Sequence, residues 1–141
     1  MKGLKTLVRI AQSRVDNERR LVSEIEAQRD ALVGEIERLG KSMRYERDHA
    51  AASLEAGITF SGFVGATLER REQLGMALEQ VETRLDGATH DLQLAYGELK
   101  KFEITVDQRI AVMRAEQNAR EQMVDNEIGL SMHRRRRTSR A

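Results

Sequence analysis

The chain has 141 residues, 33% of them charged and 4% aromatic, and its 24 Lys and Arg side chains nearly balance 23 Asp and Glu. It contains no Pro, no Cys and no Trp. The absence of Cys excludes disulfides, thiolate metal sites and a cysteine nucleophile, and the absence of Pro removes the commonest helix breaker. We expect a single domain without a thick globular core, because this composition is typical of a long helix or a coiled coil.

The N-terminal residues are basic but lack the apolar segment of a signal peptide. No apolar run approaches the roughly 18 residues that a membrane span requires. We therefore expect a soluble, cytoplasmic protein.

Apolar residues recur at alternating steps of three and four along two stretches of the chain, as in a coiled-coil seam. In the first stretch, eleven of fourteen positions are apolar: Leu4, Val8, Ala11, Val15, Glu18, Val22, Ile25, Arg29, Leu32, Ile36, Leu39, Met43, Glu46 and Ala50. In the second, thirteen of sixteen are apolar: Phe60, Val64, Thr67, Arg71, Leu74, Leu78, Val81, Leu85, Ala88, Leu92, Ala95, Leu99, Phe102, Val106, Arg109 and Met113. This seam predicts an all-α fold, a long antiparallel two-helix coiled-coil hairpin.

The seam is interrupted near residue 57, where Gly57 can end one helix in the left-handed conformation and Thr59 can cap the next. The predicted hairpin covers residues 1–130, with a helix over about 3–55, a turn at about 57–60 and a helix over about 60–130. Residues 131–141 hold five Arg and no acidic residue, and we expect them to form a basic, disordered tail.

A reversal near residue 58 or 59 predicts that the numbers of facing residues sum to about 117. That register places Leu39 opposite Leu78, and it places Glu46 opposite Arg71, two of the polar residues in the seam. An opposed charge pair within an apolar seam is tolerable where a lone charge is costly, so we expect this pair to help set the register. Glu18, Arg29 and Arg109 find no opposite charge. The second helix should extend beyond the first after about residue 117.

Catalytic and cofactor motifs are absent from the sequence, with no Gly-rich phosphate loop, nucleophile elbow or zinc-ligand spacing. Glu46-x-x-His49 has the spacing of a di-iron carboxylate motif, but such sites need a second copy that this chain lacks. A two-helix hairpin also offers no concave pocket for a small-molecule substrate. We therefore predict a protein that is not an enzyme and that binds no metal or cofactor.

Partner contacts are the remaining candidates for function. Arg134, Arg135, Arg136 and Arg137 suit an anionic partner, and an acidic protein surface fits better than nucleic acid, because the tail has no aromatic residue on which bases could stack. Tyr45, Phe63 and Met76 lie off the seam or beside the turn, where they would be either scattered exposed residues or one binding patch.

The layout as a whole resembles one family. The features are the opening LKTLVRIAQSRV at residues 4–15, a long Glu/Arg/Gln-rich helix, the turn Ala56-Gly57-Ile58-Thr59 with aromatic residues after it, a longer second helix and a basic C-terminus. This arrangement resembles the FliJ family of flagellar export proteins and its relatives in injectisome secretion systems.

The resemblance implies a non-catalytic stalk protein of the type III export apparatus. The end with both termini, here carrying Arg134–Arg137, would enter the ring of a hexameric export ATPase. A surface nearer the turn, with Tyr45, Phe63 and Met76 as candidates, would contact the cytoplasmic domain of the export gate, and export chaperones would be further partners. The location would be cytoplasmic, at the inner-membrane face of the export apparatus. The alternatives are a general coiled-coil adaptor or tether, which could be homodimeric, and a nucleic-acid-associated protein acting through the Arg tail.

Overall fold

The structure is a computed structural model and describes residues 1–140. Two helices account for nearly all of this range: α1 spans Lys2–Ala50 and α2 spans Leu54–Ser139. No strand occurs among the described residues. The expected all-α hairpin is confirmed, because the two long helices pack against each other.

The chain divides into two units, which we describe separately. The larger unit, Ala11–Gly97, contains the turn and the helical segments on either side of it. Its core is built from seam residues, and the fully covered side chains are Ala11, Val15, Ile25, Thr67, Leu74, Ala88 and Ala95. Most of the other seam positions in this unit are partly covered, and only Glu46 and Arg71 are exposed. The seam read from the sequence is therefore the packed face of both helices here.

The turn occupies residues 51–53, about six residues earlier than we predicted. Ser53 caps α2, because its hydroxyl oxygen accepts a hydrogen bond from the Ala56 backbone N–H at 3.0 Å. Gly57 is helical, and no glycine in residues 1–140 has a positive φ. Thr59 is also inside the helix, where its hydroxyl donates to the Glu55 carbonyl at 3.0 Å. The prediction overestimated the Gly57 signal and missed a serine in the position that caps a helix.

The register differs from the prediction because the turn does. The Arg70 guanidinium lies 2.9 Å from the Glu35 carboxylate, and Arg84 donates to the Gln28 side-chain oxygen at 3.3 Å. The residue numbers of these two pairs sum to 105 and 112, not to 117. A further contact, the Arg19 guanidinium 4.9 Å from the Tyr96 ring centre, also joins the helices in this unit, and its residue numbers sum to 115. A hairpin that reverses at residue 52 gives a sum of about 104 beside the turn, so the difference from the predicted register is largest for the pair nearest the turn.

The smaller unit contains residues 1–10 and 98–140. Leu99 is its buried residue, and Leu4, Val8, Phe102, Val106 and Ile110 are partly covered. From residue 111 onward every described side chain is exposed. We call residues 111–139 the extension. It begins about six residues earlier than predicted, in keeping with the shifted register. Residues 131–139 are helical, where we had expected a disordered tail, and Ala141 lies outside the described residues.

Candidate interaction surfaces

Two of the three predicted contact residues near the turn lie together. Tyr45 on α1 and Phe63 on α2 line one hollow of about 470 Å³, together with Lys41, Ser42 and Glu46. Tyr45 is 61% exposed, and its ring stacks on His49 with the ring centres 4.1 Å apart. The His49 Nδ1 also lies 2.8 Å from the Tyr45 carbonyl oxygen. These contacts hold the tyrosine ring in place on an open surface.

Met76 is equally exposed, at 59%, but it does not line this hollow. It follows Phe63 by thirteen residues on the same helix, a distance of about 20 Å at 1.5 Å per residue. The predicted register had placed Met76 close to Tyr45 along the hairpin. The shifted register separates them, so the three candidates do not form one patch.

Leu54 was not anticipated as a surface residue and is 86% exposed. Ile58 is one helical turn further along α2 and is 69% exposed, so the two side chains lie on the same side of the helix. We define the turn-end surface as Tyr45 and Phe63. Leu54 and Ile58 are outside it, because Phe63 follows Leu54 by nine residues on the same helix, which is about half a revolution around its axis. Glu55 is the only charged residue from position 50 to position 68. This nearly uncharged stretch was the signal that could have identified Leu54 as an exposed apolar residue.

The structure does not pair Glu46 with Arg71. Glu46 lies in the hollow with Phe63, whereas Arg71 lies in another with Ile36 and Gly40. No ion pair joins Glu46 to Arg71 within residues 1–140, and the neighbouring residue Arg70 instead pairs with Glu35. Both members of the observed pair are well exposed, so it contributes little net stability.

The extension is the second candidate surface. Arg134, Arg135, Arg136 and Arg137 all lie on the helix and are all exposed. Four cations at this point interact favourably with the negative end of the helix dipole. The hydroxyl groups of the two residues after the arginines also donate to backbone carbonyls of the same helix, Thr138 to Arg134 at 2.8 Å and Ser139 to Arg136 at 3.1 Å. The arginines are therefore presented on an ordered helix end.

The start of the extension faces a hollow of about 730 Å³, which opens where α1 begins. Met1, Thr105, Arg109, Val112 and Glu116 are among its lining residues. Its surface mixes apolar side chains with single charges and has no cluster of titratable groups. The lining shows no catalytic arrangement.

Neither a cluster of metal-ligand side chains nor a membrane-spanning helix occurs among the described residues. No group of three or more His, Cys, Asp or Glu is placed to hold a metal ion in residues 1–140. His49 and Glu46 share a hollow with Ser53 and Thr59, and no further acidic residue except Glu55 joins them. Within the same range, neither helix has an apolar stretch long enough to span a bilayer.

The fold is an all-α helical hairpin with exposed apolar side chains near its turn and an exposed basic segment at the end of α2. The chain belongs to the FliJ family: residues 1–138 match the family described as "Flagellar FliJ protein". This match confirms the resemblance seen in the sequence. A search of curated proteins and a search of solved structures each gave no significant match.

Proposed function

We propose that this protein is a stalk protein that couples the export ATPase to the export gate of the flagellar type III apparatus. The FliJ family, to which the chain belongs, is a flagellar, export-related and non-enzymatic family. The observation that carries this proposal is the extension. Twenty-nine consecutive helical residues, 111–139, are exposed in the described chain and have no packing partner from α1. A helix of this kind is suited to insertion into a ring of other subunits.

The arginines of the extension are the proposed ATPase contact. Arg134–Arg137 follow one another on a helix, so their side chains point in all directions around its axis. A ring of identical subunits presents the same groups from all sides, and cations distributed around a shaft can meet acidic groups on several subunits at once. Arginine is well suited to this role because its planar fork binds carboxylates in a bidentate manner.

The turn-end surface is the proposed contact with the gate and with export chaperones. Tyr45 combines a large apolar ring with a hydroxyl group, which is the kind of side chain that dominates the affinity of protein interfaces. Phe63 lines the same hollow as Tyr45 and adds a second aromatic ring to the surface. The position of the complex would be cytoplasmic, at the inner-membrane face of the export apparatus.

The ATPase contact is tested by measuring how the full chain stimulates the cognate export ATPase. We expect the R135A/R136A variant to lose most of the stimulation. The matched control is K100A/K101A, which removes two positive charges from exposed positions of the same helix outside the extension. Equal stimulation by the wild-type chain and R135A/R136A would show that these arginines are not needed for the ATPase contact. No stimulation of the ATPase by the wild-type chain would refute the proposed coupling.

The gate contact is tested by binding of the chain to the cytoplasmic domain of the export gate. Tyr45→Ala should weaken binding about tenfold or more, as for a central aromatic residue of an interface. Met76→Ala is the comparison, because Met76 is exposed to the same extent but lies outside the turn-end surface. An equal loss of affinity in both variants would mean that the contact extends along α2 to Met76. A loss of affinity in Met76→Ala alone would mean that the contact lies away from the turn.

A further inference from the structure

The extension carries opposite charges in its two halves. Residues 116–127 contain Glu116, Glu121, Asp125 and Glu127 against Arg120, a net charge of -3. Residues 128–139 contain four Arg and no acid, a net charge of +4 with His133 neutral. Two such helices side by side repel each other when parallel, because like halves meet. They attract each other when antiparallel, because the acidic half of each copy then meets the basic half of the other.

One stripe of the extension is suited to such pairing. Successive steps of three and four residues along one side of the helix give Gln117, Glu121, Val124, Ile128, Met132 and Arg135. The three central residues are apolar and are 53%, 52% and 57% exposed, respectively. This stripe continues the side of α2 that is covered by α1 up to Ile110. An apolar segment with one acidic and one basic end is the pattern of a self-complementary antiparallel seam.

We propose that the extension pairs with the extension of a second copy of this chain, antiparallel and centred on Ile128. In that register Ile128 faces Ile128 of the second copy, and Val124 faces Met132 of the second copy. Glu121 then faces Arg135 of the second copy, and by symmetry this ion pair occurs twice. Six apolar side chains that are now half exposed are covered together, and the seam ends in opposite charges on both sides.

This pairing goes beyond the proposed coupling function and does not depend on it. The same residues cannot pair with a second copy and insert into a ring of other subunits. The dimer is therefore a state of the free protein, in which the apolar stripe and the basic end are covered until a partner competes for them. Only three apolar layers are involved, so the association is weak and reversible compared with an obligate dimer.

Sedimentation equilibrium of the full chain over a wide concentration range at low salt tests the pairing. We expect a monomer–dimer equilibrium that weakens as salt is raised, because the complementary charges are exposed. E121R and R135E should each raise the dissociation constant at least tenfold, since each places like charges opposite each other. The double variant E121R/R135E should restore it to within about threefold of the wild-type value, as should an equimolar mixture of the two single variants.

Controls separate this outcome from a folding defect. Glu72 is exposed on α2 outside the extension, and E72R should leave the equilibrium unchanged. Helix content by circular dichroism should be the same in all variants, because residues 121 and 135 have no contact with α1. In a parallel pairing each charged residue would face the same residue of the second copy. Neither single variant would then weaken the dimer, and the double variant would resemble the wild type. A chain that stays monomeric at all concentrations, or a double variant that stays dissociated, overturns the inference.

Discussion

Replacing Glu18 with leucine should stabilise the hairpin. Glu18 occupies a seam position between Val15, which is completely buried, and Val22, which is partly covered. One oxygen of its carboxylate is buried and has no hydrogen-bond partner within residues 1–140. The sequence already indicated that this residue would find no opposite charge. A buried polar atom without a partner loses its hydration and gains nothing in return.

The expected gain is moderate, because Glu18 as a whole is only partly covered and water can reach the rest of its side chain. An unsatisfied buried polar group costs about 1–3 kcal/mol. We take the lower part of that range, about 1–2 kcal/mol, as the increase in the free energy of unfolding. For a chain of this length, each kcal/mol raises the Tm by about 4 °C.

Urea and thermal unfolding followed by circular dichroism at 222 nm measure the effect. The control is Glu24→Leu, which makes the same chemical change at an exposed position of α1 and should alter the free energy of unfolding by no more than about 0.5 kcal/mol. The reasoning is refuted if Glu18→Leu is no more stable than the wild-type chain, or if Glu24→Leu stabilises it equally. The first result would mean that the carboxylate is hydrated or paired in solution.

Three further experiments test the turn and the register by unfolding measurements. Ser53→Ala should lower the free energy of unfolding by about 1 kcal/mol through loss of the α2 cap, whereas a cap at Thr59 would make Thr59→Ala the more costly change. Gly57→Ala should raise it by about 0.5–1 kcal/mol, because Gly57 is helical and the nearest atom to an added Cβ is the Ala50 carbonyl oxygen at 3.8 Å; destabilisation would instead indicate the left-handed conformation that the sequence suggested. A double-mutant cycle on Glu35 and Arg70 should give a coupling below about 1 kcal/mol, because both side chains are exposed, and a clearly larger coupling would contradict that exposure.

The ring stack between Tyr45 and His49 links the candidate surface to the local helix. Both residues belong to the last two turns of α1, and they are four residues apart, so their rings lie on the same side of the helix. Because both rings lie on α1 itself, the contact does not depend on the register between the helices. The approach of Phe63 to Tyr45 does depend on it. The turn-end surface therefore combines a part that could be anticipated from one helix and a part that needed the hairpin.

The sequence alone determined which side of each helix is buried. Ile25, Leu74 and Ala95 were placed on the seam by their spacing and are buried, because a period near 3.5 keeps one stripe facing a partner helix whatever its register. The family resemblance was also readable without coordinates. Both conclusions depend on patterns that extend over the whole chain and tolerate an error of a few residues at any one point.

Only the tertiary structure decided where the chain reverses and which side chains meet. Ser53 and Gly57 are both plausible ends of a helix, and the local energies that separate them are about 1 kcal/mol. That small difference moves the turn by about six residues, and the facing pairs nearest the turn move with it. For this reason Glu35 meets Arg70 where we expected Glu46 to meet Arg71, and Tyr45 meets Phe63 but not Met76. A periodic seam specifies a packed face, and its repetition leaves the choice of register to the turn.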